Sequence, residues 1–171
     1  MYKVYLSPST EDKSFGVGDF GMESFRMNQI AEETKNKLIE LGNYIVYVNK
    51  DKKNMNEIIT ESNELKVDLF LEIETNYMKK SGIETIVKEG DERSNGIGKK
   101  VHNRLVRIYH DKNVNNEILY KAKEKNNAPV VTTKVGNRND SKDSLWIVQN
   151  IEQIGIEIAM GIDEGFKLKV C

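Results

Sequence analysis

The sequence predicts an α/β fold, a single domain over residues 1–171 with a central, mostly parallel sheet flanked by helices. Short apolar runs of strand length alternate with longer stretches of helical periodicity, the order expected when helical crossovers join parallel strands. The chain has 171 residues, 38% of them hydrophobic, enough to bury one sizeable core and little more. No linker or internal repeat divides it.

The elements follow in order. A strand near 2–7 opens the chain and leads to a glycine-containing loop. A helix near 22–41 places Met27, Ile30, Ala31, Leu38 and Ile39 at helical spacing, with Lys35, Lys37 and Glu40 on its other faces, as a helix covering a sheet should. A strand near 43–48 precedes the Lys- and Asn-rich stretch 49–56, read as a solvated loop and helix start, and a helix near 54–64. The run Val67 to Asn76, VDLFLEIETN, is the most apolar strand, expected over 67–74. Another strand near 83–88 is followed by helices near 95–109 and 115–125 and a strand near 129–134. Gly136 to Asp140 is rich in turn formers, and Asp140 or Ser141 is placed to cap a final helix near 142–162 carrying Ile147, Ile151, Ile154, Ile158 and Met160.

Charge and composition exclude several classes of function. Lys and Arg number 26 against 27 Asp and Glu, a formal charge of −1, so nothing draws the whole chain to nucleic acid or anionic lipid. No window approaches the roughly 20 apolar residues of a membrane span, and no basic segment followed by an apolar run marks the amino terminus. The chain as given is therefore expected in the cytoplasm, or at the cell wall or outside the cell if an export segment has been removed. A single cysteine, Cys171, excludes an internal disulfide.

The chemistry concentrates at the end of the central strand, where Glu72 and Glu74, two apart, point to the same face. With its surroundings this stretch resembles the zinc-dependent N-acetylmuramoyl-L-alanine amidases of bacterial cell-wall hydrolysis, in which the matching strand ends in Ser-Ile-His-Xaa-Asn. The resemblance runs nearly end to end: Tyr2 to Pro8 as the first strand, Gly21-Met22-Glu23 with Ala31 eight residues after Glu23 as the first helix, Leu41 to Val46 as the second strand, Gly82-Ile83-Glu84-Thr85, and Ala128 to Lys134 followed by Asp143, Trp146 and Ile147. It implies an amidase/phosphorylase-like α/β fold and a place at bacterial peptidoglycan. It also implies a metal site held by two histidines and a glutamate, with a second glutamate as general base. Glu23 is the one member kept. The two histidine positions fall on Thr10 and Glu74, and the general-base position on Lys134. Asn76 and Arg138 fall beside the substrate groove.

A hydrolytic zinc takes three protein ligands and leaves a fourth position for a water whose pKa it lowers to about 7. Thr10 offers only a hydroxyl, Glu74 a hard carboxylate, and Lys134 a cation with no lone pair to accept a proton. Glu23 and Glu74, joined by Glu11 or Asp12, would suit calcium, magnesium or manganese better than zinc. The simpler expectation is that no cofactor binds and that the Lys134 ammonium lies between Glu23 and Glu74. Of the two histidines, His102 is expected on a surface helix and His110 at that helix's carboxyl end as a capping charge; neither matches a ligand position. Arg138, which could meet a peptide carboxylate, is expected mainly to be solvated. The glycine-containing stretch Ser14 to Gly21 lacks the lysine of a P-loop and reads as a loop bordering the pocket.

Three functions fit this reading. The first is a catalytically impaired amidase-family domain that binds a peptidoglycan fragment or muropeptide, or a protein partner, through the old groove. The second is an active peptidoglycan amidase with a carboxylate-rich metal site, and the third a structural or regulatory protein-binding subunit.

Overall fold

The structure, a computed structural model, describes residues 1–49, 54–77, 80–123 and 125–168. Cys171 and residues 50–53 of the 49–56 stretch lie outside the described residues. Six strands form one sheet: β1 (Tyr2–Pro8), β2 (Tyr44–Val48), β3 (Leu69–Asn76), β4 (Ile83–Lys88), β5 (Glu117–Lys121) and β6 (Val130–Asn137). Their spatial order is β2-β1-β3-β6-β4-β5, with β4 antiparallel to β6 and every other pairing parallel. The helices are α1 (Glu23–Glu40), α2 (Met55–Glu64), α3 (Glu92–Ile108), α4 (Ser141–Gln149) and α5 (Ile151–Phe166).

Alternation along the strands sends the two sides of the sheet to different cores. Leu69, Leu71 and Ile73 of β3 point into the main core with Met27, Ile30 and Leu38 of α1, Ile97 and Val101 of α3, and Ile154, Ile158 and Ile162 of α5. Phe70 and Val130 point the other way, to a smaller core with Tyr5, Ile58 of α2, Val67 and Ala128. Tyr44 at the start of β2 donates its hydroxyl to Asp163 of α5 at 2.8 Å, fastening the edge strand to the helical layer.

The strands, and three of the expected helices, lie where the sequence places them, with ends shifted by a few residues. Two elements differ. The stretch expected as a helix over 115–125 contains the edge strand β5, paired in parallel register with β4 from Glu84↔Glu117 to Lys88↔Lys121. Its Glu, Leu, Lys and Ala residues favour a helix locally, and pairing with β4 overrides them. The helix expected over 142–162 is two helices broken at Asn150, whose φ of −126° and ψ of 23° are not helical. Asp140 caps α4 by accepting from the backbone N–H groups of Lys142 and Asp143.

Candidate functional site

The carboxyl ends of β1, β3 and β6 lie at one edge of the sheet, where open α/β folds collect their ligands. A cavity of about 350 Å³ opens there, walled by Ser9 and Glu11 after β1, Ser14, Glu23, Glu74 and Thr75 on β3, Tyr77, and Arg138 after β6.

Glu23 is the first residue of α1, where the helix amino terminus favours a carboxylate. Its side chain is buried and both oxygens are engaged. Oε1 accepts from the Thr75 backbone N–H at 2.8 Å and the Thr75 hydroxyl at 2.6 Å. Oε2 lies 3.3 Å from Nη1 of Arg138, which also donates to the Thr75 hydroxyl at 3.1 Å. The Arg138 guanidinium rests 5.3 Å from the centre of the Tyr77 ring. Its side chain is only 12% exposed, so the expected solvation of Arg138 is overturned. Arg138 is held from behind by the glycine-containing loop: its carbonyl accepts from the Val17 N–H at 2.9 Å and the Ser144 hydroxyl at 2.7 Å. A Cβ at Gly16 would lie 2.8 Å from that carbonyl oxygen and 2.3 Å from Cδ1 of Phe20, so only glycine permits this approach.

The expected bridge of Lys134 between Glu23 and Glu74 does not form. Lys134 lies opposite Glu74 on β3 and opposite Glu84 on β4, and its ammonium is 3.1 Å from Glu84 Oε1. Glu84 also accepts from Lys80 at 2.5 Å, and Lys80 contacts Glu117. Burial alone would raise the Glu84 carboxyl, but the hydrogen bonds and charges of Lys80 and Lys134 hold it below the ordinary carboxylate range. The cation that meets Glu23 is Arg138. Glu74 makes no hydrogen bond or ion pair among the described residues. Its burial, then the neighbouring Glu72 charge, push its carboxyl up to about 7 against the opposing charge of Lys134.

Thr10 is exposed and forms no part of the cavity wall. Asp12, weighed as an extra ligand, accepts from the Ser24 hydroxyl at 2.8 Å. Asn76 is buried and donates to the Gly82 carbonyl at 3.3 Å, beside the register shift between β3 and β6. His102 is buried rather than on a surface helix face, with Nδ1 3.0 Å from the Thr85 hydroxyl, and burial lowers its pKa. His110 is no simple cap: its Nε2 is 2.6 Å from Oδ1 of the fully buried Asp143, which also accepts from the Tyr109 hydroxyl and, through Oδ2, from the Asn137 N–H at 2.7 Å. The sequence reading missed Asp143 as an anchor of the turn that carries Arg138. An acidic residue in an otherwise apolar helix face was the available signal.

The mostly parallel sheet and the buried carboxylate that opens α1 agree with the amidase resemblance. The chain belongs to the N-acetylmuramoyl-L-alanine amidase family, whose sequence profile matches residues 5–164. Solved structures agree in fold. AmiC2 of Nostoc punctiforme, an N-acetylmuramoyl-L-alanine amidase, superposes with a TM-score of 0.83 at 15% identity, covering 98% of this chain and 98% of that one. Cwp6 from Clostridium difficile gives 0.83 at 20% identity over 97% of this chain and 29% of its own. The CwlD amidase from Clostridioides difficile, solved in complex with the GerS lipoprotein, gives 0.77 at 17% identity over 99% and 100%. No curated protein sequence matches the chain significantly.

The family is generally zinc-dependent. The donor set here does not fit that metal. Among the described residues no imidazole faces the cavity, both oxygens of Glu23 are taken by protein donors, and one of those donors is itself a cation. Among the described residues no group of three or more His, Cys, Asp or Glu converges to hold a metal ion.

Proposed function

We propose that this chain is a binding member of the amidase family that takes a peptidoglycan fragment, a muropeptide, into the cavity at the sheet edge without zinc-dependent hydrolysis. The Arg138–Glu23 ion pair supports this most directly, because it places a fixed positive charge where a metal would need an open carboxylate. Lys134, at the general-base position, is a cation engaged by Glu84 and has no lone pair to take a proton from water. Amide hydrolysis would then lack both an activated nucleophile and its proton acceptor. The same groups serve recognition. The guanidinium N–H groups of Arg138 beyond Nη1 offer a charge-assisted site for a stem-peptide carboxylate, and Ser9 and Ser14 supply neutral hydroxyls. Asn76 positions the strand end rather than meeting ligand.

A protein partner is a second reading for the same surface. It is supported by the CwlD amidase having been solved with the GerS lipoprotein and by Phe15 and Tyr77, which stand 61% and 58% exposed.

The test combines three measurements on one sample: metal content, release of reducing muramic acid ends from cell-wall material with and without zinc, and calorimetric titration with a muramyl tripeptide. The reading expects no retained metal, no turnover, and tripeptide binding that Arg138→Leu weakens by about tenfold or more, the scale of a lost charged hydrogen bond. Near-stoichiometric metal with turnover that Glu23→Ala abolishes would overturn it. Absence of tripeptide binding to a folded protein would turn the question to the protein partner.

A further inference from the structure

A second cavity, of about 420 Å³, lies along the sheet face that α1, α3 and α5 leave to α2. Its floor is Phe70 and Glu72 of β3 and Val130 of β6. Met55 and Ile59 of α2 form one wall, and Ala122, Lys123, Lys125 and Asn126 the other. The volume falls in the range of small-molecule sites.

Its polar groups are incompletely used. Glu72, 6% exposed, is already matched by the Lys123 ammonium at 2.9 Å and by the Thr132 hydroxyl. Among the described residues the Lys125 ammonium reaches only the neutral Asn56 amide oxygen, at 3.3 Å. Asn126 is 4% exposed, and its Oδ1 accepts from the Ala128 N–H at 3.1 Å, which fixes the amide orientation. The Nδ2 donor is then left buried with no acceptor. Buried donors are nearly always satisfied, so an orphan in a cavity wall marks where an acceptor belongs. The described wall residues include one carboxylate, Glu72, and two ammoniums, Lys123 and Lys125, so the lining is net positive.

We infer that this cavity binds a small monocarboxylate with an apolar body, its carboxylate taken by Asn126 Nδ2 and Lys125 and its apolar part lying against Phe70, Ile59 and Val130. The site is separate from the muropeptide cavity and stands or falls independently of it.

The probe is 4-phenylbutyrate, with 4-phenylbutan-1-ol and 4-phenylbutylamine as neutral and cationic controls. Binding is read by calorimetry and by ¹H–¹⁵N correlation of the Asn126 side-chain amide. The acid should bind at least about tenfold more tightly than either control and shift the Asn126 amide. Lys125→Glu, at an exposed position that spares the fold, should weaken it by about tenfold, whereas saturating muramyl tripeptide should leave it unchanged. Equal affinity for acid and alcohol, an unmoved Asn126 amide, an unaffected Lys125→Glu variant, or competition by the tripeptide would each overturn the assignment.

Discussion

Glu74, expected from the resemblance at a histidine position of the family, carries its proton to unusually high pH, because its burial and the neighbouring Glu72 charge outweigh the attraction of Lys134. Its carboxyl titrates near 4.5 in the unfolded chain and about 7 in the fold. Between these values the folded state binds more protons than the unfolded, so stability falls as pH rises through this window. Below it Glu74 costs nothing, and above it the full cost is present. Glu74→Gln removes the titration, so the variant should match the parent near pH 4 and exceed it near pH 8 by on the order of 2 kcal/mol. Urea unfolding at the two pH values measures this. An equal difference at both would show that Glu74 titrates as an ordinary carboxylate. At this scale the sequence was legible in part. The residue types at Thr10, Glu74 and Lys134 raised the expectation of a changed metal site, but not that Arg138 would be the cation meeting Glu23. The Arg138–Glu23 contact spans 115 positions and depends on the turn that Asp143 and the glycine-containing loop hold in place, geometry that no local pattern encodes.

Among the elements, α5 shows a feature that apolar periodicity did not reveal. Gly155 meets α1, where an added Cβ would lie 3.0 Å from the Ile30 carbonyl oxygen, and Gly161 meets α3, where it would lie 2.6 Å from the Val101 Cα. The isoleucines of α5 fill the core, while its glycines let the helix touch both neighbours backbone to backbone. Gly161→Ala gains about 1 kcal/mol of helix propensity. The clash with backbone that cannot move aside should outweigh it, for a net loss of about 2 kcal/mol in chemical denaturation. A stabilised variant would show that α3 and α5 can separate at no cost. The same distinction separates the elements that were readable from those that were not. β1, β3 and β6 carry enough apolar residues to declare themselves, and Asp140 announces the start of α4. β5 is strand only because β4 lies beside it, and the break at Asn150 interrupts an isoleucine pattern that continues through it.

Over the whole molecule the fold is kept at low sequence identity, as a TM-score of 0.83 at 15% identity illustrates, and a shared fold leaves the chemistry to the site. The charged residues around the sheet edge form a set. Lys134 is matched by Glu84, which is matched by Lys80 and through it by Glu117, a charged row running across β6, β4 and β5. Arg138 is matched by Glu23 and packed on Tyr77. Introducing the residues that the resemblance implies, one position at a time, therefore conflicts with partners already in place. In the triple variant Thr10→His, Glu74→His, Lys134→Glu, the new carboxylate would face Glu84 instead of its cation, and Arg138 would still hold Glu23. That variant should unfold at lower urea, with a loss of about 3 kcal/mol from the broken buried pair. It should also leave gel filtration without zinc. Adding Glu84→Gln and Arg138→Leu removes the repulsion and frees Glu23, so the five-fold variant should recover stability and carry zinc near one per chain, since donor availability rather than fold then governs affinity. Zinc measured by mass spectrometry separates the cases. One zinc per chain in the triple variant would mean that Arg138 yields its place to a metal, whereas none in the five-fold variant would mean that the loop carrying Thr10 no longer brings position 10 to the site.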